Sequence, residues 1–410
     1  MEGHANPYLL HFMIGALLVG SFLLRHFFEK LGVQTLISYL LMGVAITAFN
    51  SQFHMLGDDA HRVMLFMANL GLLVLLFRTG LESDTKALKD ELGPAGLIWL
   101  GNFFLSGILG YLAAYYILGL SLVTSLVIAT GFTATSIAVS IGIWREAGLM
   151  NRRESNLLLN VAQMDDVSGV AALALLLALV PILEQGGSIM DPSVFEALGI
   201  FALSLFVFSL GCYLFARYAE APITEMFQRI SKTDSCLMLL TVGTGFMIAS
   251  IAEGLEISLA VGALFAGLVF SKNPKAHEID NMIIPIYNLF APFFFIGMGM
   301  AIEPELFLDG IGIGLILLIP SVLGKVLGGA IPALRYLNWN NAMALGISLV
   351  PRAEIMLVIA GSAKAYGPEV LPDEVFAGLV FVSAITCVLT PVVVKPYLRK
   401  MEQQDAAVST

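Results

Sequence analysis

Charge is scarce in this chain. Asp, Glu, Lys and Arg make up 13% of its 410 residues, against about 25% in ordinary soluble domains, while 58% of the residues are hydrophobic. A chain of this length could form two or three soluble domains. Its apolar runs recur too regularly for that, and its connections are too short to hold a separate folded soluble domain. Cysteine is also sparse. Cys212, Cys236 and Cys387 all sit in or beside apolar runs, with no CxxC and no second metal-ligand type nearby, which argues against a disulfide framework or a zinc site. The six histidines, among them His4, His11, His26 and His54, lie mostly near the ends of apolar runs and form no HExxH pattern, so they read as interfacial. No phosphate-binding glycine loop is apparent, and no cofactor or ATP is expected. The formal net charge of −10 reflects carboxylates concentrated in a few loops and gives no basis for nucleic-acid binding.

What fills the chain is a series of membrane-length segments. Thirteen apolar runs span approximately 8–28, 32–50, 63–81, 93–118, 121–144, 155–183, 194–217, 236–252, 257–271, 283–301, 310–334, 340–366 and 373–395. The first is too long for a removable signal peptide, and its flank lacks the basic region and small-residue cleavage site. Charge placement tests this division independently. With the N-terminus outside, the odd connections and the C-terminal tail carry seventeen basic residues, including Lys86, Lys89, Arg152, Arg153, Lys272, Lys395 and Arg399, whereas the even connections carry only Arg62 and Lys364. That asymmetry predicts an outside N-terminus and a cytoplasmic C-terminus, and a missed or invented span would have scrambled it.

Two basic residues, Lys325 and Arg352, and three acids, Asp165, Asp166 and Glu354, remain inside the spans. Asp165 and Asp166 stand side by side in the sixth, and Lys325 lies about fifteen residues into the eleventh, too deep to reach an interface easily. A charge near the bilayer centre costs roughly 3 kcal/mol or more, so such groups persist where they face water, a partner or an ion. Neighbours on a helix are about 100° apart, so one aspartate can pair with Lys325 while the other looks into a cavity. The fifth and twelfth spans are predicted to break. Thr130-Gly-Phe-Thr-Ala-Thr-Ser136 makes a poor continuous helix, although helix–helix glue is an alternative role for its hydroxyls. In Ser348-Leu-Val-Pro-Arg-Ala-Glu354, the Pro351 ring clashes with the carbonyl of Ile347, and Arg352 and Glu354 follow at once. Irregular backbone at this depth is tolerated where it is buried in protein or lines a cavity. The breaks lie seven spans and 218 residues apart, which predicts inverted repeats of six spans with the seventh as linker. The same offset relates Lys325 to Gly107 and Asp165 to Ser383.

These motifs, with Phe77-Arg-Thr-Gly-Leu-Glu82, Met164-Asp-Asp-Val167, Gly324-Lys-Val-Leu327 and Val350-Pro-Arg-Ala-Glu354, resemble the monovalent cation:proton antiporter-2 family over essentially the whole chain. The nearest likeness is to NapA-type sodium/proton antiporters. The Kef potassium-efflux branch is similar but usually carries Gln-Asp at the pair. The resemblance implies an all-α membrane protein, thirteen helices with two crossed broken ones, working as a homodimer, with a bacterial inner membrane as its place. A core bundle would span about 93–183 and 310–395, a dimerisation bundle about 8–81 and 236–301, a linker helix about 194–217, and a short cytoplasmic tail 397–410. Asp166, with Asp165 beside it, would bind the proton or the monovalent cation, and Asp165 would also partner Lys325. Groups around Thr133, Thr135 and Ser136, with Pro351, Arg352 and Glu354 across from them, would form the broken-helix site. Some relatives place an acid in the fifth-span break; none is present here, which leaves Arg352 and Glu354 to balance the helix ends.

A carboxylate holds a proton or a desolvated cation but hardly both, so a site open to each side in turn couples the two fluxes by competition. The implied activity is electrogenic exchange of sodium for protons, with potassium/proton exchange or a Kef-like efflux component as the alternative; lithium also accepts oxygen ligands. An ion channel is the rival class. An intramembrane aspartyl protease, suggested by Pro332-Ala-Leu334, is disfavoured because its two acids should come from different helices.

Overall fold

The computed structural model describes residues 7–30, 35–53, 57–82, 92–184, 192–230, 234–255 and 257–408. The expected positions His4, His54, Lys86 and Lys89 lie outside them. Every regular element among the described residues is helical. Among the described residues, eleven helical stretches are long and apolar enough to cross a membrane, one of them, Leu122–Glu146, interrupted in its middle. The two other predicted segments coincide with a shorter apolar helix, Leu259–Phe270, and with a pair of helices, Trp339–Ser348 and Glu354–Lys364.

The chain divides into two compact units. The first comprises residues 1–85 and 190–304, and the second comprises 86–189 and 305–410. Each unit thus draws helices from both halves of the sequence.

The first unit holds α1 (Pro7–Lys30), α2 (Thr35–Phe53) and α3 (Asp58–Glu82) from the N-terminal half. In the numbering of the whole chain, its later helices are α8 (Pro192–Leu214), α9 (Glu220–Ile230), α10 (Asp234–Gly254), α11 (Leu259–Phe270) and α12 (Ala276–Met300). Glycine sets two of its helix crossings. A Cβ on Gly43 of α2 would lie 2.1 Å from the Ile296 carbonyl of α12, and one on Gly299 would lie 2.1 Å from the Leu40 carbonyl. Likewise a Cβ on Gly80 of α3 would meet the Leu264 carbonyl of α11 at 2.1 Å, and one on Gly267 the Phe77 carbonyl at 2.0 Å. Exchanging α2 with α11 and α3 with α12 turns one crossing into the other, as an inverted repeat requires. The Phe77–Glu82 motif works at this point: Arg78 pairs with Asp280 at 2.8 Å and Glu82 at 2.7 Å and lies over the Tyr287 ring.

The second unit holds α4 (Leu92–Leu112), α5 (Leu122–Thr133), α6 (Ile137–Glu146) and α7 (Arg153–Glu184), then α13 (Phe307–Ala333), α14 (Trp339–Ser348), α15 (Glu354–Lys364) and α16 (Asp373–Val408). Capping side chains start two of the short helices. Ser121 Oγ accepts from the Thr124 amide ahead of α5, and Asn338 Oδ1 from the Asn341 amide ahead of α14. Gly148, at φ 68°, turns the chain after α6. α4 and α13 touch backbone to backbone, since a Cβ on Gly324 would lie 2.7 Å from the Ser106 Cα and one on Gly328 2.8 Å from the Asn102 Cα.

α4 continues into a π-helical turn, residues 113–117, and so reaches its predicted limit. Two other helices run beyond theirs, α8 first into a π-helical turn at residues 215–219. The predicted seventh span then carries on as α9 to Ile230. α16 passes through the expected tail to Val408; Leu398 and Met401 are buried, and Arg152 Nη1 donates to the Met401 carbonyl.

Candidate functional site

Both predicted breaks are present, in the second unit. α5 ends at Thr133 and α6 begins at Ile137, while α14 ends at Ser348 and α15 begins at Glu354. The non-helical stretches between them meet: the Ser136 amide donates to the Pro351 carbonyl at 2.7 Å, and Ser136 Oγ to Glu354 Oε2 at 3.0 Å. Ser136 and Glu354 are 218 positions apart, the offset read from the sequence. Ser106 and Gly324, in backbone contact, have the same separation (324 less 106). The two halves therefore touch at equivalent positions along a shared pseudo-twofold axis.

The helix ends at the breaks carry charges of matching sign. At the carboxyl ends, Arg352 donates through Nε and Nη2 to the Phe132 carbonyl of α5 and through Nη1 to the Val350 carbonyl after α14. It also reaches Ser321 of α13 through Oγ and the carbonyl, and stacks 4.9 Å from the Phe132 ring. At the amino ends, Glu354 opens α15 and holds Ser136, the residue preceding α6. A cation at carbonyl ends and an anion at amide ends is the favourable arrangement for helix dipoles. Arg352 and Glu354 thus divide the task between them, and Lys325 assists by donating to the Thr133 carbonyl at 2.6 Å.

Asp165 and Lys325 are fully buried and paired at 2.8 Å. The same carboxylate oxygen, Oδ2, also accepts from Thr135 Oγ1 at 2.6 Å and Asn102 Nδ2 at 2.5 Å. Thr135 reaches the Leu349 carbonyl as well, so the first break, the second break and α7 converge on one side chain. Asp166, the next position round α7, is 5% exposed and lies in the field of Lys325. Thr133 turns its hydroxyl back to the Thr130 carbonyl, and its own carbonyl goes to Lys325. Ser383, the offset mate of Asp165, donates to the Arg352 carbonyl at 2.7 Å. Each break is therefore held by an equivalent position on α7 or α16.

Sequence reasoning missed Asn102 and Ser321. Both are neutral polar residues in apolar runs, where they read as helix–helix glue; in the structure each meets one of the buried charges. A second polar tie also went unread: Trp144 Nε1 donates to Ser348 Oγ, and Ser140 Oγ to the Ser348 carbonyl, binding α6 to α14.

The comparisons agree with this geometry. The family model for the sodium/hydrogen exchanger transmembrane region matches residues 13–400. The chain belongs to the sodium/hydrogen exchanger family. This exchanger is 26% identical over 405 residues to the high-affinity Na(+)/H(+) antiporter NhaS3 of Synechocystis sp., covering 96% of this chain and 84% of that one. It is also 26% identical over 391 residues to the Na(+)/H(+)-K(+) antiporter GerN of Bacillus cereus, covering 94% and 95%. Its fold matches that of the sodium proton antiporter MjNhaP1 from Methanocaldococcus jannaschii with a TM-score of 0.67 at 16% identity, covering 96% of this chain and 97% of that one. The exchanger thus has the sodium/proton antiporter fold, in a family of transporters.

Proposed function

We propose that this exchanger is a secondary-active antiporter that trades sodium for protons at Asp166. The observation that carries the reading is a pair of adjacent buried carboxylates at the point where the two breaks meet. Asp165 holds Lys325, Thr135 and Asn102, Thr135 reaches the second break, and Asp166, the next position round α7, is assigned the exchange of a proton for a cation. Asp166 then binds whichever ion arrives on the open side. Hydroxyls and carbonyls around Thr133 and Thr135 supply further oxygens, and alternating access carries the loaded site across. Potassium is the second reading, favoured by the likeness to GerN, whose name includes potassium. In this reading the protein is a homodimer in a bacterial inner membrane, its N-terminus outside and its C-terminus in the cytoplasm. The first unit supplies the dimer contact, and the second is the transporting core.

Proteoliposomes test the core of the proposal. An outward proton gradient should collapse on adding sodium, and separate trials with lithium and potassium rank the cations. Asp166→Asn should insert, migrate as wild type on size exclusion, and abolish the cation-driven proton movement. Substantial exchange by a correctly inserted variant would overturn the assignment.

A further inference from the structure

Gly169 stands in the middle of α7, one helical turn beyond Asp166 and on the same face. Glycine is a poor residue for a helix interior, since it gives up more conformational freedom than alanine and packs no side chain. Elsewhere in this unit close packing explains it: a Cβ on Gly346 would lie 2.6 Å from the Val326 carbonyl, and one on Gly328 2.7 Å from the Gly101 carbonyl. At Gly169 packing makes no such demand. The nearest atoms to a Cβ there would be Ile355 Cγ2 at 3.3 Å, Thr133 Oγ1 at 3.7 Å and Ala134 Cβ at 3.9 Å, all of them in side chains. The position is buried, so a methyl would add apolar packing as well as helix stability.

Its neighbours belong to the broken-helix crossing. Thr133 ends α5 and Ala134 opens the non-helical stretch, while Ile355 follows Glu354 in the first turn of α15. Thr133 Oγ1 spends its hydrogen on the Thr130 carbonyl at 2.7 Å, so only its lone pairs remain to face Gly169. A hydroxyl oxygen and, one turn back on α7, a carboxylate thus border a place where a methyl would fit and glycine leaves room. Lithium, sodium and potassium all take oxygen ligands and increase in radius in that order.

We propose that Gly169 is a specificity-determining residue: the side chain it lacks leaves the room between α7 and the first break that lets the site take a cation larger than lithium. This inference rests on the exchange reading above and adds which cations that site admits. A methyl at this position would narrow the space beside Thr133 Oγ1 and weigh most on the largest ion. If glycine served only to let α7 approach the break, its replacement would impair every cation alike. Gly107 of α4 supplies a matched control at the same threonine. A Cβ there would lie 3.6 Å from Thr133 Cγ2 and 3.7 Å from the Ala129 carbonyl, beside the threonine methyl instead of its oxygen.

The test is proton flux driven by lithium, sodium or potassium in proteoliposomes of the full chain, for wild type, Gly169→Ala and Gly107→Ala. In Gly169→Ala the apparent KM for the largest cation that wild type carries should rise by about tenfold relative to that for lithium, the discrimination that one added carbon brings to a fitted pocket. Gly107→Ala should keep the wild-type ratio within about twofold, well short of that discrimination. The rise in melting temperature that each cation produces in detergent should show the same selective loss, without any need for transport. Should Gly169→Ala fail to insert, Gly169→Ala combined with Ile355→Ala gives the same reading, because it removes the closest neighbour and keeps the added methyl beside Thr133. An unchanged cation ratio overturns the proposal, whether or not turnover falls. So does a selective loss of lithium, which would mean that the room serves water around a small ion. Absence of exchange with every cation in wild type would defeat the exchange reading, and this inference with it.

Discussion

Lys325 and Arg352 are buried to the same degree but held in different ways. Lys325 is a compact charge with one carboxylate and one carbonyl, whereas Arg352 spreads its planar fork over carbonyls from α5, α13 and the second break. Removing one member of a buried ion pair leaves an uncompensated charge worth about 3–5 kcal/mol. Lys325→Ala should accordingly lower thermal stability in detergent by about that amount, and adding Asp165→Asn should recover part of it; strict additivity in the double-mutant cycle would show the pair to be energetically independent. Arg352→Lys should fail to restore the stability lost in Arg352→Ala, because an ammonium cannot reach all of those acceptors together. At this scale the charges were legible in the sequence and the amides were not. A charge in an apolar run is improbable enough to announce itself, while Asn102 in Gly101-Asn-Phe-Phe-Leu-Ser106 is compatible with ordinary packing. Its pairing with Asp165 depends on α4 and α7 meeting, which no local pattern encodes.

The two broken spans show how far an element can be read before its partners are known. Pro351 removes a backbone donor and crowds the preceding turn, and α14 ends three residues ahead of it, whereas α13 carries Pro320 without breaking. The first break has no proline, and α5 runs on through Thr130 and Thr133, whose hydroxyls bond back along the helix, before opening at Ala134. The threonine cluster thus marked the region, while the turning point came from contact with the second break. Helix α16 outlasts the apolar run that marks its span, because Asn340 Nδ2 donates to the Tyr397 carbonyl and Arg152 to the Met401 carbonyl beyond the run's end. Glycines within one helix should separate by what they face. Gly324→Ala drives a methyl toward the Ser106 backbone and should destabilise the core, while Gly312, with open space around its Cα, should tolerate alanine and gain up to about 1 kcal/mol. Thermal unfolding of the two variants side by side checks this, and equal melting temperatures would refute it.

For the whole molecule, the division into spans was readable because two independent signals, apolar length and basic asymmetry, had to agree. The inverted repeat was weaker in sequence and became plain only as contacts: the two glycine crossings of the first unit and the offset-related pairs of the second. Orientation remains open to direct measurement. In a background lacking Cys212, Cys236 and Cys387, a cysteine at Gly187, outside the described residues, should react with an impermeant thiol reagent from outside, and one at Asn151 only from inside; the opposite pattern would reverse the topology. If cation binding at Asp166 also expels a proton from Asp165, two protons leave for one cation and each cycle moves one charge. A potential of 100 mV would then bias the cycle by about 2.3 kcal/mol, shifting the cation gradient at balance by about fiftyfold. A null point for sodium-driven flux that ignores a valinomycin-set potential would establish one-for-one exchange instead. The breaks have one more consequence, in isotope exchange. Irregular backbone is commonly the first part of a protein to take up deuterium, because its amides lack helical partners. Here Ser136 and Arg352 are buried, and their amides are bonded across to the Pro351 carbonyl and the Thr386 hydroxyl. Both should therefore label as slowly as the flanking helices; rapid deuteration at Ser136 would report the parting of the two breaks, and at Arg352 the parting of the second break from α16.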